Sequence, residues 1–267
     1  MRAQPYGTRA TRESSADARD ARDDAMRVVT RAMDGEKYLT SMTRVRRATD
    51  ARVMGVDRRG VMTGTSLLIF SSAWRASSAR ASAAGDLTRR GMAKFSGFDV
   101  RGSVEAFDGA IAVDPAYAGY MWQRGLALYA LGDYAGAAAQ FRVDVGVNPN
   151  DTEEAVWCFA SEAMDPAKGV AYARENMLRT GRDARPVMSS VRELFASGTE
   201  EAEAALKEAG KRSAGDEFYA LLYLGLFHEI NGENARAKED YERANRTVYA
   251  KLSGDYMADV SRVLERR

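Results

Sequence analysis

The residue types that usually carry chemistry are scarce in this chain. Among 267 residues there is one cysteine, Cys158, and one histidine, His228. A lone cysteine permits neither an internal disulfide nor a cysteine-ligated cluster. A lone histidine permits no multi-histidine metal site and no histidine-pair mechanism. Cys158, between Trp157 and Phe159, reads as buried and inert. His228 reads as a hydrogen-bonded structural histidine, with pH sensing as its functional alternative. Glu200, Glu201 and Glu203 read as a helix start favoured by the macrodipole rather than as paired catalytic acids. Arg182-Asp183-Ala184-Arg185-Pro186 reads as a solvated connector. Asp144 is the exception, because Ala110 and Ala244 hold the equivalent places. A buried carboxylate is costly unless paired, so an ion pair to Arg124 or Arg142 is expected, with a polar ligand anchor as the alternative. No catalytic residue, metal, cofactor or enzyme activity is expected.

The elements that position these residues repeat. Gly91 and Gly125, Phe107 and Phe141, and Pro115 and Pro149 are each 34 residues apart. The register recurs around Gly225, with Ala237 and Tyr241 at the matching offsets and Tyr249 in place of the proline. A small residue such as Gly125 is needed where a second helix crosses a first. Ala137 is its small counterpart, and Phe141 is expected to fill the gap towards the next repeat. Gly132-Asp133 makes a tight turn and Pro149 ends a helix. Asp151 with Glu154 three residues on forms a capping box. Further along, a helix pair broken at Asp165-Pro166 is expected, with Pro166 in a first turn, then two short helices hinged at Ser197-Gly198.

These landmarks resemble the tetratricopeptide repeat over residues 86–149 and 216–250. The strings YMWQRGLALY, QFRVDVGVNPNDTEEAVWCF, GRDARPVM and SGDYM are similar to those of plant and algal chloroplast tetratricopeptide-like proteins. The resemblance implies an all-α, right-handed solenoid of stacked antiparallel helix pairs, preceded by a disordered targeting region. About five hairpins over 84–250 and a solvating C-terminal capping helix over 251–267 are expected.

The amino-terminal third has another composition. Of 39 basic and 38 acidic residues, 16 and 9 fall in residues 1–83, leaving 23 and 29 beyond, a net −6. Residues 61–74 carry no charge, yet are too short and too polar for a permanent span, which takes roughly 20 apolar residues. Arg58-Arg59 supplies a positive flank, and Ala81-Ser82-Ala83 a small-x-small cleavage pattern. The order resembles a bipartite thylakoid-lumen signal: 1–57 a disordered plastid transit segment, 58–83 a thylakoid-transfer signal whose cleavage pattern is carried by Ala81 and Ala83. Four aspartates in residues 16–25 depart from transit-peptide composition and make Met26 or Met42 alternative starts.

The expected function is therefore non-enzymatic: a protein-interaction scaffold of the thylakoid lumen, aiding assembly or maintenance of a photosynthetic complex. The alternative is a stromal or thylakoid-surface adaptor, and the remote one an enzyme built on the array. The partner is a protein, expected in a concave groove lined by Met92, Phe95, Trp122, Leu126, Tyr129 and Leu226, although Trp122 also suits packing between helices. Thr88, Met92, Trp122 and Leu126 occupy the places of a carboxylate clamp, so no clamp is expected. Nucleic acid is disfavoured by the acidic balance after residue 83.

Overall fold

The computed structural model describes residues 64–181 and 183–267, with side chains from Ala79 onward. The expected transit segment 1–57, and residues 58–63 of the expected transfer signal, lie outside the described residues; the rest of that signal, 64–83, is the first part of a helix. Twelve helices follow, and no strand occurs among the described residues. They are α1 Gly64–Ser96, α2 Val100–Val113, α3 Trp122–Leu131, α4 Tyr134–Val147, α5 Thr152–Met164 and α6 Gly169–Glu175. Then come α7 Pro186–Ser197, α8 Glu200–Ala209, α9 Ala214–Ile230, α10 Asn234–Arg246, α11 Val248–Leu252 and α12 Tyr256–Glu265. Two 3-10 segments, Pro115–Tyr120 and Gly210–Arg212, join neighbouring helices.

Local chemistry sets the helix ends. Asp99, Asp133, Asp151, Thr199, Ser213 and Asp255 each accept a hydrogen bond from a first-turn N–H, supplying partners that the helix cannot. Gly132 and Gly198 take left-handed φ values of 83° and 68° after α3 and α7, a conformation glycine reaches without a Cβ penalty. The Ser197-Gly198 hinge is thus where the sequence puts it. Two expectations change in detail. Pro166 lies in a turn, and α6 begins only at Gly169. Only half of the capping box forms: Asp151 Oδ1 accepts from Glu153 N at 2.9 Å, while Asp151 N donates to Asn148 O.

Sequence-adjacent helices pair, α1 with α2, α3 with α4, α5 with α6, α7 with α8 and α9 with α10. The repeat register has one physical basis. A Cβ on Gly91 would stand 2.5 Å from Phe107, one on Gly125 2.7 Å from Phe141, and one on Gly225 2.6 Å from Tyr241. In each case the aromatic residue is 16 positions on. Phe141 therefore fills its own pair's crossing as well as reaching Trp157 in α5, 6.4 Å away ring to ring. Ala137 and Ala237, one turn earlier on the second helices, are also buried. Pro115 opens a 3-10 segment, whereas Pro149 lies in the turn between α4 and α5.

The core is centred on α9, where Phe218–Ile230 is buried without interruption, as a helix apolar on all sides requires. The carboxyl-terminal helix does not match the expected solvating cap. Tyr256, Met257, Ala258, Val260, Ser261, Val263 and Leu264 of α12 are buried, and α12 packs against α1, α3 and α10. It therefore ties the first pairs to the last, where a simple stack has only nearest-neighbour contacts. The boundary drawn at residue 83 also falls inside α1. Ala84 is fully buried, and the carbonyl of Ala81 accepts the Tyr117 hydroxyl at 2.9 Å.

Candidate functional site

The six groove residues come from the expected helices: Met92 and Phe95 from α1, Trp122, Leu126 and Tyr129 from α3, Leu226 from α9. They do not face open space. Phe95, Leu126, Tyr129 and Leu226 are 0–2% exposed, and Met92 and Trp122 are partly exposed. The reason is α12. Its Tyr256 ring lies 5.5 Å from Phe95 and edge-on to Trp122 at 5.6 Å, and Ser96 Oγ donates to Asp259 at 2.6 Å. At its end, Arg267 donates to the Tyr129 carbonyl at 3.1 Å and pairs with Glu229. Glu229 also accepts the Tyr241 hydroxyl at 2.7 Å. The unoccupied hollow expected from the repeat is thus corrected: the chain's own last helix lies on it. Thr88, the other clamp position, is buried and donates to the Ala84 carbonyl.

A second cluster connects the start of α12 to the middle of the array. Asp183 and Arg185 of the loop before α7 are not a solvated connector. Arg185 holds Asp183 through two nitrogens at 3.0 and 2.7 Å and pairs with Glu153. Its guanidinium lies 5.4 Å from the Tyr219 ring centre. Glu153, at the buried start of α5, also accepts the Tyr223 hydroxyl. Tyr219, one turn before Tyr223 on α9, donates to Asp255 at 2.8 Å, as does Tyr249. Asp255 in turn caps α12 through Met257 N at 2.9 Å. Burial raises the Glu153 carboxyl to about 7, with Arg185 acting in the opposite direction. Sequence reasoning missed this network, because its members are up to about a hundred positions apart and each has an ordinary solvated reading.

Asp144 is buried as expected, but the expected ion pair does not form. Arg124 turns to Asp108 at 2.6 Å, and Arg142 to Glu162 at 2.6 Å. Asp144 Oδ1 instead accepts from Gln140 Nε2 at 3.0 Å. Burial pushes Asp144 up to about 8, so the group takes a proton where no cation meets it. Glu154 is raised too, by burial first and then by the carboxylates of Asp151, Asp144 and Glu153.

His228 is buried, with Nδ1 2.7 Å from Asp240 and Nε2 3.5 Å from Glu203. A cleft of about 160 Å³ beside it is lined by Lys207, Arg236, Glu239, Asp240 and Arg243. Its three cations are already engaged by Glu203, Glu233 and Asp240, so the cleft reads as a charge-compensated seam between α8 and α10. Cys158 is buried and its thiol is pushed up to about 12 by burial. Among the described residues no group of three His, Cys, Asp or Glu can hold a metal ion.

Comparison with family models, with curated proteins and with solved structures finds no match to this chain. The fold defines an all-helical protein of packed adjacent helix pairs.

Proposed function

We propose that this protein is a non-enzymatic interaction scaffold of the tetratricopeptide type, working in the thylakoid lumen in the assembly or maintenance of a photosynthetic complex. The observation that carries the scaffold reading is the thrice-repeated crossing of Gly91 with Phe107, Gly125 with Phe141 and Gly225 with Tyr241. One supersecondary unit used three times in a common register builds a preformed surface, and such surfaces hold peptides and helices. The amphipathic α12 lying on Phe95 and Trp122 supports a helix as the class of ligand this face accepts. Met92 and Trp122, beside α12, are the groove positions left to a partner. The lumen address rests on Arg58-Arg59, the uncharged stretch 61–74 and the small residues at 81–83. Among the described residues no helix is long and apolar enough to cross a membrane.

Import of the full chain into isolated chloroplasts, followed by protease treatment of the thylakoids, tests the address. A shortened, protected product is expected; a product degraded outside the thylakoid would move the scaffold to the stroma or the membrane surface. Capture of partners by the full chain and by Trp122→Ala tests the surface. Loss of the partner with an unchanged Tm supports it, and retention of every partner retires Trp122 from the site.

A further inference from the structure

The connection into α12 is short and contorted. Only Ser253, Gly254 and Asp255 separate α11 from α12, and Gly254 sits at a left-handed φ of 69°. Just before this hinge, α11 leaves Val248 64% and Leu252 80% exposed. They are four positions apart on one helical face, and Leu252 is the most exposed of the large apolar side chains described. Beyond the hinge stands a ten-residue terminal helix whose inner face is almost wholly buried.

From this arrangement we infer that the protein forms a helix-exchanged homodimer, in which α12 of each copy occupies the concave face of the other. The occupant is residues 256–265 of a second copy of this chain. The match is complete by identity, since every contact of Tyr256 with Phe95 and Trp122, of Asp259 with Ser96 and of Arg267 with Glu229 is remade between chains. A foreign helix would have to replace all of that burial, whereas a second copy replaces it at no net loss. Short hinges next to a separately packed element favour such exchange. Straightening at Gly254 runs the two hinges side by side about the two-fold axis, which takes Val248 and Leu252 out of water. The inference does not depend on the scaffold reading or on the address.

Sedimentation of the full chain from micromolar to about 1 mM, near the effective concentration of a short tether, reads the assembly directly. A monomer–dimer equilibrium is expected, weakened at least about tenfold by Leu252→Glu, a loss of 1.4 kcal/mol or more. The pairs Ser96→Cys with Asp259→Cys, and Phe98→Cys with Arg266→Cys, whose guanidinium lies 3.7 Å from the Phe98 ring centre, distinguish exchange from face-to-face contact, since Cys158 is buried. After oxidation a covalent dimer is expected on a denaturing gel. Overturning results are a monomer at every concentration, a dimer indifferent to Leu252→Glu, links closed only within one chain at about 1 mM, or a dimer that neither cysteine pair can trap.

Discussion

At the scale of single residues, the interior handles its charges in two ways. Glu162, 1% exposed, is met by two cations, Arg142 at 2.6 Å and Lys168 at 3.2 Å. Asp144 meets no cation at that range and gives up its charge instead. Its folded value of about 8 stands above the ordinary 3.8. The stability it contributes is therefore full below about pH 4 and is lost as pH rises through 8, at up to about 1.4 kcal/mol per pH unit. Asp144→Asn removes this titration. Urea unfolding should show the variant gaining on the parent from pH 5 to about 8 and levelling off above it, and parallel profiles would place the charge elsewhere. Arg185 makes the opposite case. Arg185→Ala leaves Glu153 and Asp183 without their cation, and a loss of about 2–3 kcal/mol is expected at pH 8. The lower end of the buried-pair range applies because a quarter of the Arg185 side chain stays exposed. The loss should shrink towards pH 5, as Glu153, raised to about 7, takes up a proton.

At the scale of elements, the crossing glycines are the part most open to test. Gly91→Ala, Gly125→Ala and Gly225→Ala each drive a methyl group against a ring or backbone and should cost about 1–3 kcal/mol. Gly146→Ala, in α4 with nothing within 4 Å of its Cβ, should be neutral or gain up to about 1 kcal/mol. Equal effects at all four positions, measured by thermal unfolding, would mean that the shared register is not the organising contact. The same contrast explains what could be read in advance. Helix pairs, the Gly132 and Ser197-Gly198 turns and the Gly–aromatic spacing are local, and local geometry leaves a periodic trace in composition. The destination of α12 leaves none. Its apolar residues announce an amphipathic helix, but Ser96 and Asp259 are 163 positions apart, and no spacing rule covers that distance. Arg185 was unreadable for the same reason, since its partner Glu153 belongs to another pair. The pairing of Asp144 failed differently: two candidate arginines were nearby, and both had nearer carboxylates.

At the scale of the whole molecule, α12 converts a row of hairpins into a closed body. Tyr256→Ala should cost about 3–5 kcal/mol, as for other large buried rings. Hydrogen exchange should then quicken in α1 and α10 together, because α12 touches both. Quickening confined to the last pair would return the molecule to a chain of independent neighbours. The burial of Ala84 bears on maturation. A peptidase that severs the bond after Ala83 creates an ammonium group on Ala84, which has no exposed surface, and removes the carbonyl that receives the Tyr117 hydroxyl. Once α1 has coiled, Ser82 and Ala83 face water, but the cut end at Ala84 has nowhere favourable to go. Cleavage there must win a race against coiling, or the scissors must fall ahead of Ala81, whose carbonyl Tyr117 holds, and Edman degradation of the ripened polypeptide tells which came first.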